Sequence, residues 1–99
     1  MNTSGITTLV VLLLIVLSGF SLQTQPEGKK IFENNCTTCH GSDGTKGRFG
    51  AKNLKTSKLK DGEIISTVKK GRRIMPSWEG ELTQEQIEQV VEYVKQLRS

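Results

Sequence analysis

Cys36-Thr37-Thr38-Cys39-His40 gathers both cysteines and the single histidine of a 99-residue chain into five consecutive positions. Three familiar uses of two thiols at this spacing fail on their surroundings. A thioredoxin-like redox pair needs a βαβ setting, and no strand-like alternation of apolar and polar residues occurs in the chain. A disulfide across so short a loop removes little entropy from the unfolded state. A zinc site would have three Cys/His ligands where a closed structural site takes four, and two of these are neighbours in sequence. The order C-x-x-C-H fits c-type haem attachment instead. Two intervening residues let both sulfurs reach vinyl groups on one edge of the macrocycle, so Cys36 and Cys39 are the expected thioether positions. His40 is then carried beneath the iron as a proximal ligand.

Composition points the same way. The chain holds 34 apolar residues, of which twelve lie within residues 1–21, leaving 22 for the other 78 positions. That length allows one small domain, and a domain of under about 80 residues seldom holds together on apolar burial alone. A large flat ring system, tethered by two covalent bonds, supplies the missing buried surface: the cofactor, haem c, is expected to be the core.

With His40 on one side of the iron, the sixth ligand must come from elsewhere, and Met75 is the only methionine besides Met1. Pro76 biases Met75 toward extended backbone in an irregular stretch, Gly71 to Glu81, between two helical patterns. The competing use of Met75 is to fill a gap in the core. Met/His ligation is the pattern that raises the reduction potential of electron-transfer haems, and Met75 is the expected metal ligand beside His40.

Working outward, Pro26 suits a first helical turn, and a helix from Glu27 to about Asn35 delivers the chain to Cys36. The stretch Gly41 to Leu54 carries four glycines and reads as a wrapping loop without regular structure. Asp61 is the expected cap of a second helix, with Ile64, Ile65 and Val68 on one face and Gly71 at its C-terminal end. In the last helix Thr83 caps, Gln86 completes a capping box and Leu82 staples onto Ile87. Its Ile87, Val90, Val91, Val94 and Leu97 form an apolar stripe. The architecture expected is all-α, with three to four helices wrapped around one covalently bound haem.

Ile6 to Leu17 is almost wholly apolar, and this character runs on through Phe20. At 15 residues the stretch falls short of the roughly 20 that cross a bilayer untilted, and it matches the apolar region of a signal peptide. Residues 1–21 therefore read as a signal peptide cleaved after Ser21. The absence of a Lys or Arg before the stretch keeps retention as an N-terminal membrane anchor open. Either way the domain is expected in the periplasm or on the extracytoplasmic face of the membrane.

Every charged side chain lies from Glu27 onward, and the net charge of +4 is unevenly spread. Glu27 to Met75 carries twelve Lys/Arg against five acids, whereas Pro76 to Ser99 carries two against five. A basic face suits an acidic partner or an anionic surface. Nucleic acid is a poor match, since single-strand binders stack bases on aromatic platforms and the basic half offers only Phe32 and Phe49.

C-T-T-C-H, then G-R-R-I-M-P-S-W from Gly71 to Trp78, then the Leu82 to Leu97 helix together resemble a small class I cytochrome c over about Pro26 to Leu97. The resemblance implies a cytochrome c domain over residues 22–99, with first and last helices crossing beside a single haem. It implies Phe32 facing Ile87, Val90 and Val94, with an aromatic at Tyr93. It also places Ala51-Lys52-Asn53-Leu54 where the family's loop offers a carbonyl to the proximal histidine, with Lys52 standing where that loop has a proline. Arg72, Arg73 and Trp78 are candidate partners of the haem propionates, Trp78 being read first as a core aromatic.

The function this implies is an exported, monomeric carrier with no substrate of its own. It moves single electrons between a redox protein donor and acceptor that present acidic docking surfaces. Two alternatives stay open: a membrane-tethered haem subunit of a larger oxidoreductase, and an open-site haem sensor or peroxidase with Met75 off the iron.

Overall fold

A computed structural model describes residues 24–99. The segment 1–21, read as a signal peptide or anchor, lies outside them. In chain order the elements are α1 (Thr24–Asn35), a single turn α2 (Thr37–His40), a 3-10 turn (Arg48–Gly50), α3 (Asp61–Lys70) and α4 (Gln84–Gln96). Among the described residues there is no strand, and no helix is long and apolar enough to cross a membrane. The all-α expectation holds, with four helices.

The boundaries follow local chemistry, with two corrections. Helix α1 starts at Thr24, three residues ahead of the expected Glu27, which keeps Pro26 in the first turn where its missing N–H is not needed. At α3 the cap is Lys60 (φ −75°, ψ 160°) rather than Asp61, which is the first helical residue. The capping is done from inside the helix: the Glu63 carboxylate accepts the Lys60 N–H at 3.0 Å. Asp61 is thereby free to pair with Lys95 of α4, whose Nζ lies 2.7 Å from its carboxylate and 2.9 Å from that of Glu92. Exposed pairs of this kind contribute little stability. Helix α4 begins as expected, the Thr83 hydroxyl accepting the Gln86 N–H at 3.1 Å and the Gln86 side chain accepting the Thr83 N–H at 2.9 Å.

The stripe on α4 is two ridges rather than one. Residues four apart on a helix lie nearly above one another, so Val90 and Val94 form one row, and Ile87 and Val91 the row beside it. Val90 and Val94 pack with Ile31 and Phe32 of α1. Ile87 and Val91 pack with Ile64 of α3, joined by the staple residue Leu82. Phe32 therefore meets only part of the expected stripe, Ile87 being turned to α3. These seven side chains are the whole buried apolar set among the described residues.

The α1 to α4 crossing is tight because of Gly28. A Cβ on this buried glycine would be driven into the Gln89 carbonyl oxygen and to 3.2 Å from the Tyr93 Cβ. One turn further along, the Phe32 and Tyr93 rings sit 5.3 Å apart, tilted by 50°, a favourable aromatic geometry. Gly→Ala inside a helix ordinarily stabilises by up to about 1 kcal/mol. Here backbone stands in the way, so Gly28→Ala is expected to destabilise by about 1–3 kcal/mol, seen as a lower denaturation midpoint of the holoprotein in urea.

Candidate functional site

Where α1 ends, the Cys36 N–H still reaches the Phe32 carbonyl (2.9 Å), and the His40 N–H then bonds the Cys36 carbonyl (3.0 Å). The Thr37 hydroxyl adds a bond to the Glu33 carbonyl at 2.9 Å. These bonds wind the pentapeptide into one turn, and Gly41 (φ +79°) ends it. Cys36, Cys39 and His40 line a cavity of about 670 Å³ between the helices. Ile64 and Val68 of α3, Val90 and Val94 of α4, and Met75 and Trp78 of the α3–α4 connection line it as well.

Burial pushes the Cys36 thiol up to about 11, with the neighbouring Cys39 adding to the effect. A thiol held neutral is a poor thiolate ligand or redox nucleophile. Among the described residues no three His, Cys, Asp or Glu side chains converge as metal ligands, so the zinc reading has no geometry behind it. A cavity of this size and apolar character lies in the range of cofactor sites. Two thiols, an imidazole and a thioether on its walls are the donor set a c-type haem takes. The residues present fit that group.

His40 has a defined tautomer. Its Nδ1 lies 3.1 Å from the Lys52 carbonyl oxygen. A carbonyl only accepts, so Nδ1 carries the proton and Nε2 keeps the lone pair that a metal needs. The contact forms although Lys52 stands in the position of a proline.

Met75 is placed by its own loop. Arg72 and Met75 exchange two backbone hydrogen bonds of 3.0 Å each, and Arg73 within that turn is held at φ +55°. Gly71 (φ +75°) has no room for a side chain, since a Cβ would meet the Met75 carbonyl oxygen and the Pro76–Ser77 backbone within 2.8 Å. The Trp78 N–H bonds the Val68 carbonyl at 3.0 Å and fastens the loop to α3. Trp78 belongs to neither buried cluster. Its half-buried side chain lines the cavity together with Phe32, Ile64, Val90 and Val94. Arg72 and Arg73 are exposed where they border the cavity, as are Arg48 and Lys52. The Arg48 guanidinium lies over the Phe49 ring, 4.8 Å from its centre.

Residues 23–94 match the family described as cytochrome C oxidase, cbb3-type, subunit III. The chain belongs to that family of c-type cytochromes. It is 42% identical over 79 residues to the cbb3-type cytochrome c oxidase subunit FixP of Bradyrhizobium diazoefficiens, covering 72% of this chain and 27% of the subunit. Over 74 residues it is 40% identical to cytochrome c6 of Leptolyngbya boryana, covering 68% of this chain and 85% of the relative. With cytochrome c6 of Thermosynechococcus vestitus the identity is 32% over 97 residues, covering 91% and 86%. The chain thus spans about a quarter of the cbb3-type subunit and most of either cytochrome c6. As a c-type cytochrome it carries covalently bound haem c with its iron.

Two backbone conformations that shape the site of this cytochrome have no sequence signal. Phe49 (φ +56°) and Arg73 (φ +55°) occupy left-handed backbone where glycine is the usual choice, and both border the cavity. Left-handed backbone costs a side-chain-bearing residue about 1–2 kcal/mol, part of which glycine loses again in the unfolded state. Arg73→Gly is therefore expected to stabilise the holoprotein by about 0.5–1 kcal/mol in urea unfolding, whereas Arg72→Gly yields no gain.

Proposed function

We propose that this cytochrome passes single electrons from one redox protein to another, its haem attached at Cys36 and Cys39 and its iron held by His40 and Met75. The observation that carries the reading is the convergence of all four side chains on one apolar cavity. When bound, the haem supplies a one-electron ferric/ferrous couple. The protein's part is to set its potential and its access. The Lys52 carbonyl orients the His40 ring and raises its basicity. Met75 offers a soft thioether, which favours the ferrous state. Ile64, Val68, Val90 and Val94 give the cavity an apolar wall that would exclude water from the bound group. No acid-base chemistry is required, and the single histidine has its Nδ1 proton committed to Lys52, which leaves the sensor or peroxidase alternative without a distal histidine.

The domain acts in the periplasm or on the extracytoplasmic face of the membrane, delivered there by residues 1–21, and works as a monomer between its partners. Arg48, Lys52, Arg72 and Arg73 at the cavity border suit an acidic docking surface, with charge steering the encounter. The match to FixP favours a second reading, in which an uncleaved N-terminal segment tethers the same haem domain to a larger oxidase.

Met75→Ala is expected to abolish the weak sulfur-to-iron charge-transfer band at the red edge of the ferric spectrum and to lower the potential. It also opens the iron to carbon monoxide. A wild-type protein that already binds carbon monoxide rapidly contradicts the ligand assignment. Exposed charges are screened beyond about 8 Å at physiological salt, so association with an acidic redox partner slows steeply as ionic strength rises. Lys52→Glu with Arg72→Glu slows it further at low salt. Replacing Lys95, already paired with Asp61 and Glu92, leaves it unchanged. A bimolecular rate flat in salt reduces the basic border to a solubility feature.

A further inference from the structure

The Lys52 carbonyl has to stay on His40 Nδ1 without the fixed φ that a proline at this position imposes. On both sides of it the backbone is anchored. The Ala51 N–H bonds the Arg48 carbonyl at 3.0 Å, and the Leu54 N–H bonds the Gly44 carbonyl at 2.8 Å. Gly44 is buried at φ +86°, and a Cβ there would lie 2.8 Å from the Leu54 Cβ, so Leu54 is seated closely against it. Between these anchors only residues 52 and 53 remain. The Lys52 N–H donates to no protein group among the described residues. The Asn53 side chain does the holding, its Oδ1 accepting the Lys55 N–H at 2.9 Å. This is an Asx turn, a side chain closing a turn that backbone would otherwise close. The Thr56 hydroxyl leans on the Asn53 carbonyl as a longer contact of 3.4 Å.

We infer that Asn53 is a positioning residue for the proximal ligand: its Asx turn closes over residues 53–55 and anchors the chain directly after the Lys52 carbonyl, which keeps that carbonyl on His40 Nδ1 where no proline ring constrains it. The inference rests on the haem reading above, with His40 as ligand. It adds a residue that touches neither haem nor iron and acts through Lys52. The backbone ahead of Lys52 permits the alternative device. Ala51 (φ −57°, ψ 135°) already has the extended conformation that a following proline demands, and the free Lys52 N–H can be dispensed with.

The test is solvent exchange of the His40 Nδ1 proton, followed by NMR in the ferrous holoprotein, in wild type and three variants. Losing one such hydrogen bond is expected to speed exchange through local opening about fivefold in Asn53→Ala. Asn53→Asp keeps an acceptor oxygen at the same place and retains the wild-type rate. Adding Lys52→Pro to Asn53→Ala restores slow exchange, and this double variant supplies the reading should Asn53→Ala alone fail to fold. An unchanged rate in Asn53→Ala overturns the inference. So does equal acceleration in the Ala and Asp variants, or a double variant that exchanges as fast as Asn53→Ala. The optical spectrum of the wild type decides haem binding and His/Met ligation separately, so failure of that reading is visible on its own.

Discussion

Two adjacent ridges on α4 determine how the rest of the chain is arranged. Val90 and Val94 draw in α1, and Ile87 and Val91 draw in α3, so two helices are held against a third on neighbouring ridges. Seven buried apolar side chains can line the space between them but cannot fill it. The result is an apolar cavity whose wall includes the same Phe32, Ile64, Val90 and Val94 that make up the core. Core and site are one surface, which is why a domain with so few apolar residues can be stable only with a large ring system in its middle.

Three local devices bring the candidate ligand and attachment groups, and the acceptor for His40, to that surface. Cys36, Cys39 and His40 arrive on a single helical turn that continues α1. The acceptor for His40 arrives on a glycine-rich loop closed by the Leu54 and Lys46 amides, which bond the Gly44 and His40 carbonyls at 2.8 Å each. Met75 arrives on a reverse turn pressed against Gly71 and fastened to α3 by Trp78. The two non-glycine residues in left-handed backbone, Phe49 and Arg73, both stand where the cavity meets solvent, and unfavourable backbone of this kind tends to collect at functional sites. The basic residues at that border belong to the same two loops, so the loops that build the site also give its opening a positive charge.

Much of this was legible in the sequence, and the reasons are local. C-T-T-C-H states its chemistry in five residues, and the Thr83/Gln86 box with its Leu82 staple marks a helix start by contacts within one turn. Gly71 marks a helix end by the φ it alone adopts easily. What could not be read depends on partners distant in sequence. Gly28 is critical because Gln89 lies against it, sixty-one positions away. Asp61 looked like a cap because its residue type favours one, yet Glu63 does that work and Asp61 faces Lys95. The division of the α4 stripe between two clusters required knowing where α1 and α3 lie. Lys52 in place of a proline removes the constraint that a pyrrolidine ring would put on this loop. The hydrogen bond to His40 forms nonetheless, since the carbonyl belongs to the backbone and neighbouring residues hold it.

The claim on which the account stands is that this small fold is completed by a haem bonded to the chain. Intact mass of the protein, produced with export and haem-attachment machinery and sprayed from denaturing acid-organic solvent, tests it directly. The account predicts a single species of polypeptide plus one haem, which reverts to the bare polypeptide when both Cys36 and Cys39 are replaced by alanine. A wild-type mass equal to the bare polypeptide, with the pigment lost to the solvent, would contradict it.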